Sequence, residues 1–323
     1  MINKFTFGVL AYNQEKEVVQ TLNSIKYQII NYGKKISCNL VITDDYSTDL
    51  TMDAIKTWIN NNANYFKKII TRFNTDNKGT VDNYNFILGQ ICDEPFKIIA
   101  GDDLISQNNI FETFDYVGEH TLYNGFRMFF NENGVYIREQ YLHLHFWMMK
   151  KKYSREKILR LFRMGHIIST PQTLYRKVLY TDSEAQKFNC RFRIFEDNPT
   201  WYSMIKNVKD IEVSFNIKPV TLYRISDKGI SHGTKIKPVF KDELYKLYKT
   251  YIEDGNMLEK IYFKSAVSGL PKLLNLSVYV TRLFYIRCAV FSVLHRSQFN
   301  EFKNAELKEL EKQKRYYKAI CNM

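Results

Sequence analysis

The sequence predicts an α/β protein, a mainly parallel sheet with helices on both faces, followed by a helical C-terminal region. Three observations lead there. Short apolar runs alternate with segments of helical period through the first hundred residues. Two acidic pairs, Asp44-Asp45 and Asp102-Asp103, fall directly after the second and fourth of those runs. From about Pro238 the chain keeps helical period to its end, with Lys and Arg increasingly frequent.

Each element follows in order. Residues 5–11 form a short apolar run and read as a strand; residues 16–27 set Val18, Val19, Leu22 and Ile25 near helical spacing. Residues 40–43 are a second strand. Ser47 then reads as the cap of a helix over about 49–60, whose apolar side is Ala54, Ile55, Trp58 and Ile59. Residues 68–72 and 96–100 are further strands, with a helix near 81–91 between them. This βαβαβαβ order gives parallel strands joined by crossover helices. Residues 140–235 mix short strands and helices less regularly.

In such sheets ligands bind beyond the carboxyl ends of the strands. Both acidic pairs fall there, and like charges gathered without a partner cost stability. A hard divalent cation, which takes oxygen ligands and bridges to phosphates, would relieve that cost at Asp102-Asp103. The same residues also read as a plain turn with a capping aspartate. Around Asp44-Asp45, a carboxylate can accept from a base N–H, or Ser47 and Asp49 serve only as caps. Glu196-Asp197-Asn198-Pro199 sets Pro199 at the first position of a helix and Asn198 at its cap. The helix dipole there stabilises the ionised carboxylate that a general base needs; the alternative is again a capping cluster. Arg224 can clamp a diphosphate bidentately, and His232 can do so when charged or can ligate a metal. The chain lacks a G-x-G-x-x-G after its first strand, a P-loop, H-E-x-x-H and G-x-S-x-G, which removes support for dinucleotide folds, P-loop ATPases, zincins and serine hydrolases.

Composition narrows the setting. The net charge of +13 is uneven, the acidic motifs lying early and the Lys/Arg excess from about Lys235 onward. That basic region reads as a membrane-facing surface, a nucleic-acid surface or a solvated helix. The five cysteines are odd in number and contain no C-x-x-C, which fits a reducing compartment and no disulfide framework. The first thirteen residues lack a signal-peptide pattern. The most apolar late segment, 273–294, is interrupted by Arg282 and Arg287, so it falls short of a membrane span. If residues 272–296 form one helix, Lys272, Arg282, Arg287 and Arg296 share one half and Leu273, Val280, Phe284, Cys288 and Phe291 the other. Such a helix either lies in an anionic membrane surface or packs on the domain beside it.

Taken together, the motifs resemble the family 2 glycosyltransferases of GT-A fold over roughly residues 4–232. FGVLAYNQEKEVVQTLNSIKYQ resembles the first strand and helix of that family, and LVITDDYSTDLT its V-D-D-x-S-x-D-x-T motif. Asn77-Lys78-Gly79 with Asn85 resembles N-x-G…N, IIAGDDLIS the D-x-D-D motif, FEDNPTW the E-D motif and YRISDKGIS the late Y-R…S segment. The resemblance implies a Rossmann-like catalytic domain over 1–235, with a nucleotide-binding half at 1–104 and an acceptor-binding half at 105–235. A helical basic region follows over 236–323. It implies a nucleotide site of Ala11, Tyr12, Asn13, Asp44, Asp45, Asn77, Lys78, Gly79, Asn85, Asp102 and Arg224. Asp45 would contact the base. Mn²⁺ or Mg²⁺ would be held by Asp103 with Asp102, and His232 is a further ligand candidate. Asp197 would be the general base, with Glu196 positioning or replacing it. Ala100 stands where the family often has its first Asp, so a three-aspartate site is excluded.

The implied activity is inverting transfer from a UDP-sugar to a glycan or lipid-linked acceptor, in bacterial capsule, lipopolysaccharide or related polysaccharide assembly. It would act in the cytoplasm, with peripheral contact at the inner face of the membrane through the C-terminal helix and without nucleic acid. Two rivals stand beside it. A nucleotidyltransferase of similar fold predicts pyrophosphate release and leaves the E-D motif unexplained. A non-catalytic basic protein binding membrane or nucleic acid predicts salt-sensitive binding that survives loss of the acidic motifs.

Overall fold

A computed structural model describes residues 2–137, 154–164, 168, 170–226, 238–267 and 276–321. The chain divides into two compact units. The first comprises residues 1–138, 169–225 and 309–323, the second residues 139–168 and 226–308.

The first unit opens with β1 (Lys4–Ala11), α1 (Val18–Tyr32), β2 (Ser37–Asp44), α2 (Thr51–Asn62), β3 (Lys68–Phe73), α3 (Thr80–Gln90) and β4 (Phe96–Ala100). The four strands form one wholly parallel sheet in the order β3-β2-β1-β4. Alternation along β1 decides how both faces are covered. Phe5, Phe7 and Val9 point to a core shared with Val18, Leu22 and Ile25 of α1. Gly8 points the other way, where α3 comes so close that a Cβ would lie 2.6 Å from Ile87.

Helix α1 runs past the predicted end at residue 27 because its next turn is held by tertiary contacts. Beside its apolar stripe lies a fully buried polar one, Thr21, Ser24 and Gln28. Thr21 donates to the Asp103 carbonyl (2.7 Å), Ser24 accepts from the Ile105 amide (3.0 Å), and Gln28 donates to the carbonyls of Ser106 (2.7 Å) and Asn108 (3.0 Å). Inward-facing polar residues of this kind blur the hydrophobic period.

The rest of the first unit is built from short pieces. β5 (Leu104–Ile105), α4 (Ile110–Thr113), β6 (Thr121–Asn124), β7 (Met128–Asn131) and β8 (Gly134–Tyr136) come before α5 (Arg155–Arg163), which belongs to the second unit. Then follow β9 (Thr173–Leu174), α6 (Lys177–Asp182), α7 (Ala185–Asn189), α8 (Asn198–Asn207), β10 (Glu212–Phe215) and β11 (Thr221–Arg224). They make two small mixed sheets, β10-β6-β9 and β5-β11-β7-β8. Antiparallel pairing of β5 with β11 sets Leu222 opposite Leu104, which brings the Arg224 backbone beside Asp103.

The C-terminal helices are α9 (Pro238–Asp254), α10 (Met257–Val267), α11 (Leu276–Leu294) and α12 (Arg296–Cys321). Of the stretch 272–296, considered above as one helix, the described part is helical from Leu276 to Leu294, and a new helix starts at Arg296. Within the second unit, Arg163 and Glu259 form a buried ion pair at 2.8 Å, and Tyr248, Tyr251 and Phe263 cluster. From Glu309 onward α12 belongs to the first unit, where Tyr316 and Ile320 join the core of Leu104, Met128, Phe130 and Leu222. No helix among the described residues is long and apolar enough to cross a membrane.

Candidate active site

Parallel register brings three loops to one edge of the sheet. Ala11 lies opposite Asp44, and Leu10 opposite Ala100. The loops after β1 and β2 are tied together by backbone amides. Asn13, at φ 53°, donates its amide to Ser47 Oγ (2.8 Å), and its side chain accepts from the Thr48 amide (2.8 Å). The amide of Gln14 donates to Thr51 Oγ1 (2.7 Å) and that of Glu15 to Asp49 Oδ2 (3.2 Å). Ser47 is not the helix cap that its position predicts. α2 starts later, at Thr51, whose amide is met by the Asp49 carboxylate (3.0 Å), while Ser47 bonds Asp44 through both its amide and its hydroxyl. Tyr46 adopts φ 65°, a left-handed conformation that is unusual for a bulky residue, and its ring is half exposed, as is that of Tyr12.

Asp45 is buried and organises the opposite wall. Its carboxylate accepts from Asn74 Nδ2 (3.0 Å), the Lys78 amide (2.7 Å) and the Gly79 amide (2.9 Å), and its carbonyl accepts from Asn77 Nδ2 (3.2 Å). Gly79 is required here. Its φ is +90°, and a Cβ would lie 2.6 Å from the carbonyl oxygen of Arg193. Arg193 in turn donates to both the carbonyl and the side chain of Asn77 (2.8 Å each). The chain just before Glu196-Asp197 is thus fastened to the Asn77-Lys78-Gly79 turn.

Asp102 and Asp103 follow β4 directly. Asp103 is buried, with one carboxylate oxygen accepting the Arg224 amide (2.9 Å); Asp102 is half-buried. Burial pushes the Asp103 carboxyl well above its ordinary range, and the neighbouring Asp102 charge adds to this. Burial also raises Asp102, with Arg224 opposing. Arg224 donates to the Asp102 carbonyl (2.7 Å) and to Gln20 (2.6 Å), and lies over the Phe130 ring at 4.4 Å. Its guanidinium therefore braces the acidic turn. Lys97, on β4, is buried with its ammonium on the carbonyls of Pro171 (2.8 Å) and Thr173 (3.2 Å). Burial lowers its pKa to about 7 against the pull of Asp103.

The donor set at this edge is hard oxygen, and both carboxyls carry a burial cost that a cation would relieve, so the residues fit Mg²⁺ or Mn²⁺. Among the described residues no group of three or more His, Cys, Asp or Glu could hold a metal ion. The residues that would hold the ion are therefore the carboxylate pair Asp102 and Asp103. His232 lies outside the described residues.

Asp197 itself caps α8, accepting from the Asn198 amide, one residue before the predicted cap, and Pro199 sits in the first turn. The Glu196 carbonyl accepts from Thr200. Asn85 does not lie free at the loop ends. It accepts from Tyr180 Oη (2.6 Å) and from Asn189 Nδ2 (3.4 Å), and Asn189 also donates to Thr200 (3.2 Å), so this network supports α8 from below. Sequence reasoning missed Lys97, Arg193 and Asn189. A lone lysine inside the apolar run FKIIA was a usable sign for the first. Arg193 and Asn189 carried none, since the residues they tie to the site, Asn77 and Asn85, are more than a hundred residues away.

A family model described as glycosyl transferase family 2 matches residues 6–183, more than half of the chain. No curated protein matches it. Among solved structures, S. aureus TarS 1-349 in complex with UDP-GlcNAc is similar at a TM-score of 0.56 and 16% identity, over 96% of this chain and 89% of that one. A longer S. aureus TarS structure gives 0.52 and 18% over 81% of this chain, which spans only 42% of that chain. TarS 1-349 in complex with UDP gives 0.50 and 16%.

Proposed function

The chain belongs to glycosyltransferase family 2, and from that premise we propose that it is an inverting, metal-dependent enzyme taking a UDP-sugar to a glycan or lipid-linked acceptor of a bacterial surface polysaccharide. One observation carries this reading. The turn cradled by Asp45 and the segment bearing Glu196-Asp197 are fastened to each other through Arg193, in the same unit as the Asp102-Asp103 edge. Nucleotide-side and base-side groups therefore share one frame. The similarity to a fold solved with UDP-GlcNAc supports a uridine nucleotide as the donor.

In this mechanism the turns at residues 11–13 and 77–79 form the walls of the nucleotide site, with Tyr12 and Asp45 at the base. Asp197 accepts the proton of the acceptor hydroxyl as its oxygen bonds to the anomeric carbon and the diphosphate leaves, which inverts that centre. Glu196 orients Asp197. Asp102, the more exposed carboxylate, and Asp103 behind it would hold Mn²⁺ or Mg²⁺. When bound, the ion supplies stabilisation of charge on the diphosphate.

The test pairs binding with turnover. A panel of UDP-sugars is screened by thermal shift with Mn²⁺, since a ligand that binds the folded state raises the midpoint. UDP release is then followed for the best donor. Asp197→Asn is expected to keep UDP affinity within about twofold and to lose turnover by roughly a hundredfold or more. Full turnover by that variant, or pyrophosphate in place of UDP as product, defeats the proposal.

A further inference from the structure

Helix α11 is apolar on two opposite sides, and only one is covered. Cys288 is buried, whereas Leu283, Ile286, Val290, Val293 and Leu294 lie outward, between 53% and 75% exposed. At about 100° per residue these five fall in a stripe roughly 100° wide. Arg282 borders one edge of it and Arg287 the other. The sequence-based wheel also set Cys288 and the arginines on opposite halves; the exposed stripe of Leu283, Ile286, Val290, Val293 and Leu294 lies on the arginine half.

Charge is concentrated in the same unit. Residues 139–168 and 226–308 hold 21 Lys and Arg against 10 Asp and Glu, so they carry +11 of the net +13. Twelve of the seventeen exposed large apolar side chains among the described residues also lie there. Leu283 and Arg287 further line a cleft of about 860 Å³ within this unit, whose other walls include Lys157 and Arg160.

We infer that the outward face of α11 docks on an anionic lipid bilayer surface. Side chains such as Leu283 and Val290 enter the headgroup boundary, and the two bordering arginines reach the lipid phosphates. Contiguous exposed apolar surface marks an interaction site, and the charge selects the occupant. A second copy of the chain would set +11 against +11, whereas an anionic leaflet attracts a basic segment. A nucleic acid offers phosphates and leaves the apolar stripe in water. This inference goes beyond the donor reading and does not depend on it.

The test is flotation of the full chain with vesicles of equal parts phosphatidylcholine and phosphatidylglycerol, against vesicles of phosphatidylcholine alone. Sedimentation velocity and the thermal midpoint are measured alongside. The chain is expected to float with the anionic vesicles only, and less so as salt is raised. The triple variant Ile286→Asn, Val290→Asn, Val293→Asn and the double variant Arg282→Gln, Arg287→Gln should each lower flotation tenfold or more at an unchanged thermal midpoint. The inference is overturned if the chain does not float, if it floats equally with neutral vesicles, if both variants float like the parent, or if the parent is a dimer that the triple variant dissociates.

Discussion

Asp102 and Asp103 are sequence neighbours in different surroundings, and substitution should separate them. Asp103 is buried and accepts the Arg224 amide. Asp103→Ala leaves that donor unmet and is expected to cost about 1–3 kcal/mol of stability. Asp103→Asn keeps the acceptor, removes a charge strained by burial, and should unfold at or above the parent's denaturant midpoint. Asp102→Ala should leave that midpoint in place and abolish the Mn²⁺ dependence of UDP binding seen by calorimetry; retained dependence moves the ion to Asp103. Lys97 gives a pH signature. Its folded pKa is about 7 against 10.5 unfolded, so between those values the unfolded chain binds more protons and stability rises with pH. The two carbonyls that accept from its ammonium, and the Asp103 charge, work against burial. Denaturant titrations at pH 7 and pH 9 should give the parent a gain on the order of 2 kcal/mol that Lys97→Met lacks.

At the scale of elements, function rests on turns that need particular backbones. Gly79 joins the Asp45 cradle to Arg193 at a φ of +90°. Gly79→Ala should destabilise by more than about 1 kcal/mol, because the conformation and the space are both unfavourable. It should also lower kcat by roughly tenfold or more, because the Glu196-Asp197 segment is displaced. Kinetics beside thermal unfolding check both parts, and a variant with full kcat would disconnect the two turns. Most of these elements were legible. β4 matches its predicted bounds, and the first three strands and their helices were found with shifted ends. The predicted cap at Ser47 failed because its hydroxyl had a better partner in Asp44, with Asp49 standing nearer the real helix start. The buried polar stripe of α1 escaped notice because period reasoning treats Thr21, Ser24 and Gln28 as solvent-facing.

At the scale of the whole molecule, the last residues of the chain belong to the unit that its first residues build. α12 returns Tyr316 and Ile320 to the first unit, where Tyr316 donates to the Ile105 carbonyl (2.9 Å) and Gln313 accepts from the Gln107 amide (3.0 Å). The turn that carries Asp102-Asp103 is therefore backed by residues two hundred positions later. Tyr316→Ala should cost about 3–5 kcal/mol in chemical denaturation and weaken UDP binding along with it. Stability within 1 kcal/mol of the parent, on the order of a surface substitution, would mean that this helix is dispensable to the fold.

The sequence by itself determined the parallel α/β frame, its family and the three acidic motifs, because each is local: a period of two or 3.6, a short spacing, a strand followed by a carboxylate. Only the tertiary structure decided what those motifs are attached to. Asp103 became a buried acceptor because β11 pairs beside it. Arg224 turned inward because Asp102 and Gln20 offered acceptors nearer than solvent. α11 faced Leu283 and Val290 outward because its other side was already packed. Composition and spacing set which contacts can form, and burial chooses among them, since every buried donor, acceptor and charge must find its partner within reach of its own side chain.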